Sequence, residues 1–108
     1  MEYTLTPNNM KGFGAVKGEA TGIARTSDDP NFKEGDILVA NITVPANVPI
    51  MKLASAIATN IGSITCHAAI VAREMNKPCI VRTGSATKLA GKLITISVKG
   101  IKEAQITW

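Results

Sequence analysis

Alternation of apolar and polar positions is cleanest near the end of the chain. Lys92-Leu93-Ile94-Thr95-Ile96-Ser97-Val98 and Ala104-Gln105-Ile106-Thr107, with Gly100 between them, predict a closing hairpin. Three shorter runs, Ile37-Leu38-Val39-Ala40, Ala56-Ile57-Ala58-Thr59 and Cys79-Ile80-Val81-Arg82, read as buried strands bounded by turn residues. Upstream, alternation runs through Gly12 to Arg25 as one glycine-rich strand. Its glycines do not spell GxGxxG and no GK[ST] follows, so they fit bulges and close strand approaches in a small barrel-like sheet.

Helical spacing appears in two places. Ala69, Ala72 and Met75 set out a small-residue face over Cys66–Met75, ended by Asn76-Lys77-Pro78. After the proline-broken loop Thr43-Val44-Pro45-Ala46-Asn47-Val48-Pro49, positions 50, 53 and 54 share one face of a short turn over Ile50–Ser55. A shorter helical piece is expected at Ala86–Leu89. Residues 1–11 are polar and broken by Pro7, Asn8 and Asn9, so a flexible or edge segment is expected there. The alternation of strands and helices predicts an α/β domain with a layered or barrel-like mixed sheet.

Composition narrows the picture. With 108 residues, 45% hydrophobic, the chain suits one domain over 1–108 with one core. Only 4% of residues are aromatic, so that core rests on Ile, Val, Leu and Ala. The net charge is +4, yet lysines and arginines are scattered from Lys11 to Lys102, which gives no nucleic-acid arm. Asp28 and Asp29 read as solvated turn carboxylates, and Asp36 likewise. Two cysteines and one histidine are a poor inventory for zinc, so no metal site is expected, and Cys79 in its apolar run reads as a buried small hydrophobe. The opening Met1-Glu2-Tyr3-Thr4 is not a signal peptide and no span long enough for a membrane follows, so the cytoplasm is the expected compartment.

Candidate chemistry gathers at Gly62-Ser63-Ile64-Thr65-Cys66-His67-Ala68-Ala69, where a small-residue turn enters the predicted helix. His67 is the single histidine. Partial positive charge at a helix start disfavours imidazolium, and a neutral ring keeps a lone pair for nucleophilic attack. The unpaired amides of the same turn make a cradle for an anion. Nucleophile and cradle coincide, and a phosphorylated histidine is the species both would serve. Thr65 is placed to cap the helix, and Ser63 is a turn residue; either hydroxyl could instead bond a phosphoryl oxygen. Cys66 adjoins His67, but neighbouring helical residues diverge, which argues against a Cys–His dyad. Arg73, two turns along, suits a structural salt bridge better than a phosphate contact.

Thr65-Cys66-His67-Ala68-Ala69-Ile70-Val71-Ala72-Arg73-Glu74, followed by Lys77-Pro78-Cys79-Ile80-Val81, resembles the signature of the PEP-utilising enzyme mobile domain. This is the swivelling phosphohistidine domain of phosphoenolpyruvate synthase and pyruvate phosphate dikinase. Thr43-x-Pro45, Met51-x-x-Ala54 and the Gly35-Asp36 entry to an apolar strand follow the same pattern, so the resemblance extends from about Gly12 to Thr107. It implies a compact swivelling β/β/α fold. It also implies a relay in which His67, through Nε2, takes a phosphoryl group and passes it on; Ser63, Thr65 and Cys66 beside it are the phosphate-binding residues expected here. The chain itself is expected to hold no cofactor; Mg and ATP or phosphoenolpyruvate belong to separate nucleotide-binding or phosphoenolpyruvate/pyruvate-binding subunits. Nucleic acid and membrane are not expected partners. Asn60 and Ser63 depart from the acidic residue and second glycine usual in the family, and Ser97-Val98-Lys99-Gly100 replaces its usual Asp-Gly turn. The alternative that these departures support is a non-catalytic interaction or regulatory module that keeps the fold.

Overall fold

Alternating stretches and short apolar runs form, among the described residues, seven strands that close on themselves. The computed structural model describes residues 8–108. The strands are β1 (Asn9–Val16), β2 (Gly18–Arg25), β3 (Ile37–Ala40), β4 (Ala56–Thr59), β5 (Cys79–Val81), β6 (Leu93–Gly100) and β7 (Glu103–Thr107). Around the barrel they follow the order β1-β5-β4-β3-β2-β6-β7. Strands β2 to β5 run parallel to their neighbours in that arc, whereas β1 meets β5 and β7, and β6 meets β2 and β7, antiparallel. Helix α1 (Val48–Leu53), preceded by a 3-10 turn at Pro45–Asn47, joins β3 to β4. Helix α2 (His67–Met75) joins β4 to β5, and a second 3-10 turn spans Ala86–Leu89.

Strands β3, β4 and β5 are buried on both faces, as parallel strands must be where helices cover them, whereas β2 buries only Ala24. Ile37, Val39, Ala56, Ala58 and Ile80 point into the barrel with Ile94, Ile96 and Ile106. Leu38, Ile57, Cys79 and Val81 point the other way and pack under Met51, Ala54, Ala68 and Ala72 of the helical layer. Cys79 is indeed a buried small hydrophobe: burial, helped by nearby Cys66, pushes its thiol up to about 12.

Several expectations need correction. The reading of 1–11 divides: residues 1–7 lie outside the described residues, whereas Asn9, Met10 and Lys11 belong to β1, paired with Thr107, Ile106 and Gln105. Met10 turns inward onto the core while its polar neighbours face out, so polarity there marks one strand face. The run from Gly12 to Arg25 is two strands, because the chain breaks at Lys17 and Gly18 (φ 143°) and crosses to the other side of the barrel. The short helix lies earlier than Ile50–Ser55, and its inward residues are Met51 and Ala54, whereas Leu53 faces solvent. Asp36 is 4% exposed: Arg25 Nε reaches its Oδ2 at 2.7 Å, the Lys33 amide donates to it at 3.0 Å, and Asp29 takes the other arm of Arg25. A buried carboxylate next to a strand entry needs such partners.

The glycines of β1 allow the closure. An added Cβ at Gly14 would collide with the Gly100 carbonyl and the Val98 side chain of the hairpin. Gly14→Ala is therefore expected to lower stability by about 1–3 kcal/mol, as overpacking does. Denaturant unfolding measures this; a midpoint equal to wild type would show that the barrel has slack at this seam.

Candidate functional site

The carboxyl ends of β3 and β4 lie side by side, with Ala40 opposite Thr59, and the loop after each carries the site. The first loop is tied down by the Val44 amide, which donates to Asn47 Oδ1 at 2.8 Å. The second begins at Asn60, whose side chain is fully engaged. Its amide group donates to Asn41 Oδ1 at 3.3 Å and Thr87 Oγ1 at 3.0 Å, and its oxygen accepts from the Thr87 amide at 3.1 Å. Gly62 then turns the chain at φ 130°, a conformation that suits glycine, and a Cβ there would lie 3.0 Å from Cys66 Sγ.

Helix α2 starts at His67, one residue later than the pattern suggests, with Cys66 in extended conformation as the cap residue. Thr65 is therefore not the N-cap, and no side chain caps this end. The Thr65 hydroxyl pairs with Ser63 Oγ at 3.0 Å instead, and both residues lie exposed on the turn. The Cys66 amide bonds the Ser63 carbonyl at 3.1 Å, and the Ile70 amide closes the first helical bond to Cys66. The other end of α2 stops at Asn76, left-handed at φ 56°. Arg73 makes no salt bridge among the described residues; its guanidinium donates to the carbonyls of Ile64 at 3.1 Å and Ala15 at 3.3 Å, bracing the turn from behind.

His67 is half-buried and opens onto a cleft of about 220 Å³ lined by Ile42, Thr43, Thr59, Ile61, Gly62, Cys66 and Ala68. Its Nδ1 lies 2.7 Å from Thr43 Oγ1. Thr43 is 5% exposed and 24 residues away in sequence, so this contact exists only because β3 and β4 are neighbours. Sequence reasoning read Thr43 only as part of a loop pattern. The one signal was a lone hydroxyl between Ile42 and Val44, which is too common to single out. Of the other candidates, the structure brings Cys66 into the cleft with His67, whereas Ser63 and Thr65 lie outside its lining. With Nδ1 held by Thr43, Nε2 is the ring nitrogen without a hydrogen-bond partner among the described residues.

Residues 32–102 match the family described as PEP-utilising enzyme, mobile domain. The chain belongs to that family. It is 44% identical over 97 residues to the phosphoenolpyruvate synthase of Pyrococcus furiosus, covering 86% of this chain and 12% of that protein. With the phosphoenolpyruvate synthase of Synechocystis sp. the identity is 52% over 83 residues, covering 77% of this chain and 10% of the relative. The chain thus spans a small part of these enzymes. Among solved structures, aconitase X of Thermococcus kodakaraensis superposes with TM-score 0.61 at 16% identity, over 93% of this chain and 97% of that one. An Enzyme I protein superposes with TM-score 0.55 at 24% identity, over 76% of this chain and 33% of that one. At these identities the likenesses show the fold.

If Thr43 holds one tautomer of the ring, Thr43→Val will free both. Long-range nitrogen-15 NMR of His67 is expected to pass from the shifts of a single tautomer to averaged ones. Identical spectra would show that the threonine does not set the proton's position.

Proposed function

We propose that this mobile domain is a phosphocarrier that holds a transferable phosphoryl group on His67 Nε2. The observation that supports this most is the Thr43–His67 contact of 2.7 Å beside an open cleft. In the reactive tautomer Nδ1–H donates to Thr43 Oγ1, which leaves the Nε2 lone pair free. That lone pair attacks phosphorus, an N–P bond forms, and the P–O bond to the leaving oxygen breaks with its electron pair going to that oxygen. Positive charge then spreads over the ring, and the Thr43 oxygen at Nδ1–H stabilises it. Transfer to an acceptor reverses the steps. In this tautomer the attacking nitrogen carries no proton, so the step needs no separate base.

Unpaired amides at the start of α2 suit the phosphoryl oxygens, with Cys66 in the cleft and the Ser63 and Thr65 hydroxyls on the turn beside it. Donor and acceptor belong on other units. A cleft of about 220 Å³ lies below the roughly 300–1,000 Å³ of pockets that enclose drug-sized ligands such as a nucleotide. Mg with ATP, or phosphoenolpyruvate, is accordingly held by separate nucleotide-binding or phosphoenolpyruvate/pyruvate-binding units, and the carrier works as a relay between them. The family membership and the phosphoenolpyruvate synthase relatives support this reading.

A second reading, a non-catalytic module that keeps the fold, draws on Asn60 and Ser63. The bonds of Asn60 to Asn41 and Thr87 weaken it, because they give that residue a structural role without any loss at His67. Incubation with ATP or phosphoenolpyruvate and a cognate phosphotransfer unit is expected to add one acid-labile, base-stable phosphate, seen by phosphorus NMR and absent in His67→Ala. Equal labelling of that variant would refute His67 as the carrier, and absence of phosphohistidine in the wild type would favour the module.

A further inference from the structure

Two features of the opening above His67 are unusual for this chain. The first is electrostatic. Of 20 Asp, Glu, Lys and Arg residues, only Lys52 falls between Asp36 and Arg73. Lys52 sits at the end of α1, where the next residue's carbonyl bonds Gly35 just ahead of β3, at the opposite end of the strands from His67. The loops 41–47 and 60–66 therefore carry no charged side chain. The nearest cation along α2, Arg73, is spent on the Ile64 and Ala15 carbonyls.

The second feature is apolar exposure. Ile42 is 51% exposed, Val44 44%, Ile61 53% and Ile70 46%. Ile42 and Ile61 line the cleft, Val44 follows Thr43, and Ile70 lies one helical turn beyond His67 on the same face. These account for half of the eight large hydrophobic side chains left exposed among the described residues. Exposed apolar groups gathered around one opening mark an interaction site better than scattered ones do.

We propose that Ile42, Val44, Ile61 and Ile70 form an apolar docking collar for the protein surface that presents the phosphoryl donor, and that this surface is itself uncharged and apolar at its contact ring. The proposal rests on the phosphocarrier reading of His67. The chain covers 12% and 10% of its phosphoenolpyruvate synthase relatives, and its cleft of about 220 Å³ lies below the roughly 300–1,000 Å³ of pockets that enclose a drug-sized ligand. Phosphorus must reach Nε2 through this opening, so whatever holds the donor presses on the collar. Burying four aliphatic side chains expels water from around the N–P bond, which removes the competing nucleophile. A charge-free collar offers no counterion to the phosphoryl oxygens, so the cations that neutralise them come from the partner, inside the ring of contact. Docking of this kind is insensitive to salt, because apolar contact is not screened.

Two phosphoryl donors separate docking from chemistry. Phosphoramidate is a small donor that needs no docking. The Pyrococcus furiosus phosphoenolpyruvate synthase, with its own mobile-domain histidine replaced and ATP supplied, serves as the protein donor. Wild type is expected to be labelled by both. In Val44→Asp/Ile70→Asp the ratio of protein-donor to phosphoramidate labelling should fall about tenfold or more, as for truncated hot spots. Leu93→Asp, 61% exposed on β6, should keep the wild-type ratio. Protein-donor labelling should change little between about 0.05 and 0.5 M salt.

An unchanged ratio in the double variant overturns the collar, as does a wild type labelled by phosphoramidate alone. A steep salt dependence, abolished by Lys99→Glu/Lys102→Glu, also overturns it in favour of a charged dock at the cleft of Lys11, Lys99 and Lys102 on the far sheet. Failure of phosphoramidate to label wild type would count against His67 as carrier and not against the collar.

Discussion

Strand β1 is bonded on both sides, to β5 and to β7, and everything at the site depends on that double pairing. Without it β5 and β7 would be sheet edges, and the parallel arc would be free to splay. With it, the barrel holds β3, β4 and β5 in fixed register and aligns their carboxyl ends. The glycines of β1 and β2 make this geometry possible: backbone carbonyls of Gly100 and Gly35 lie where Cβ atoms of Gly14 and Gly22 would be. Isoleucine, valine and alanine make up most of the interior, with Leu89 among them and Trp108 packed against it.

On that platform, two loops with few internal bonds become a defined site. Asn60 clips its loop to Asn41 and Thr87, and the Thr83 amide and hydroxyl both bond the Thr59 carbonyl at 3.1 and 3.0 Å. Arg73 braces the turn through the Ile64 carbonyl. These bonds hold the loops that carry Thr43 and His67, and the Thr43–His67 contact sets which ring nitrogen faces inward. A buried threonine and a half-exposed histidine make an asymmetric pair: one nitrogen is tied inward, and the other is left for the cleft.

Legibility in the sequence followed the range of the interaction. The hairpin of β6 and β7, the buried strands β3, β4 and β5, and the start of α2 within one residue could be read from local pattern, because alternation and helical spacing are local facts. The mixed, barrel-like sheet was legible as a class, but its strand order was not, since β1 crosses to β5 and β7 by pairings that no local period encodes. The split at Lys17 hid inside continuous alternation. Asp36 looked like any turn carboxylate until Arg25 was brought to it, and Thr65 looked like a cap until the helix began a residue later. Thr43 was missed for the same reason: its partner is 24 positions away. Arg73 found carbonyls where a carboxylate was expected, because the strand and turn beside α2 present backbone and no acid.

The architecture explains the absence of charge in the strands below His67 but not in the loops around it. Residues 37–40 and 56–59 are nearly all buried, so they exclude charge by desolvation cost. No such rule governs the exposed loops 41–47 and 60–66, where charge is cheap and common. That they carry none, while 20 charged residues are spread over the rest of the chain, shows that neutrality there is not inherited from the core. A fixed lysine beside Nε2 would stabilise the phosphorylated ring and make the phosphoryl group harder to pass on. A fixed carboxylate would repel it before it arrived. On the phosphocarrier reading proposed above, a domain that must both accept and release is best left neutral, with stabilising charge supplied only where and when a partner is docked.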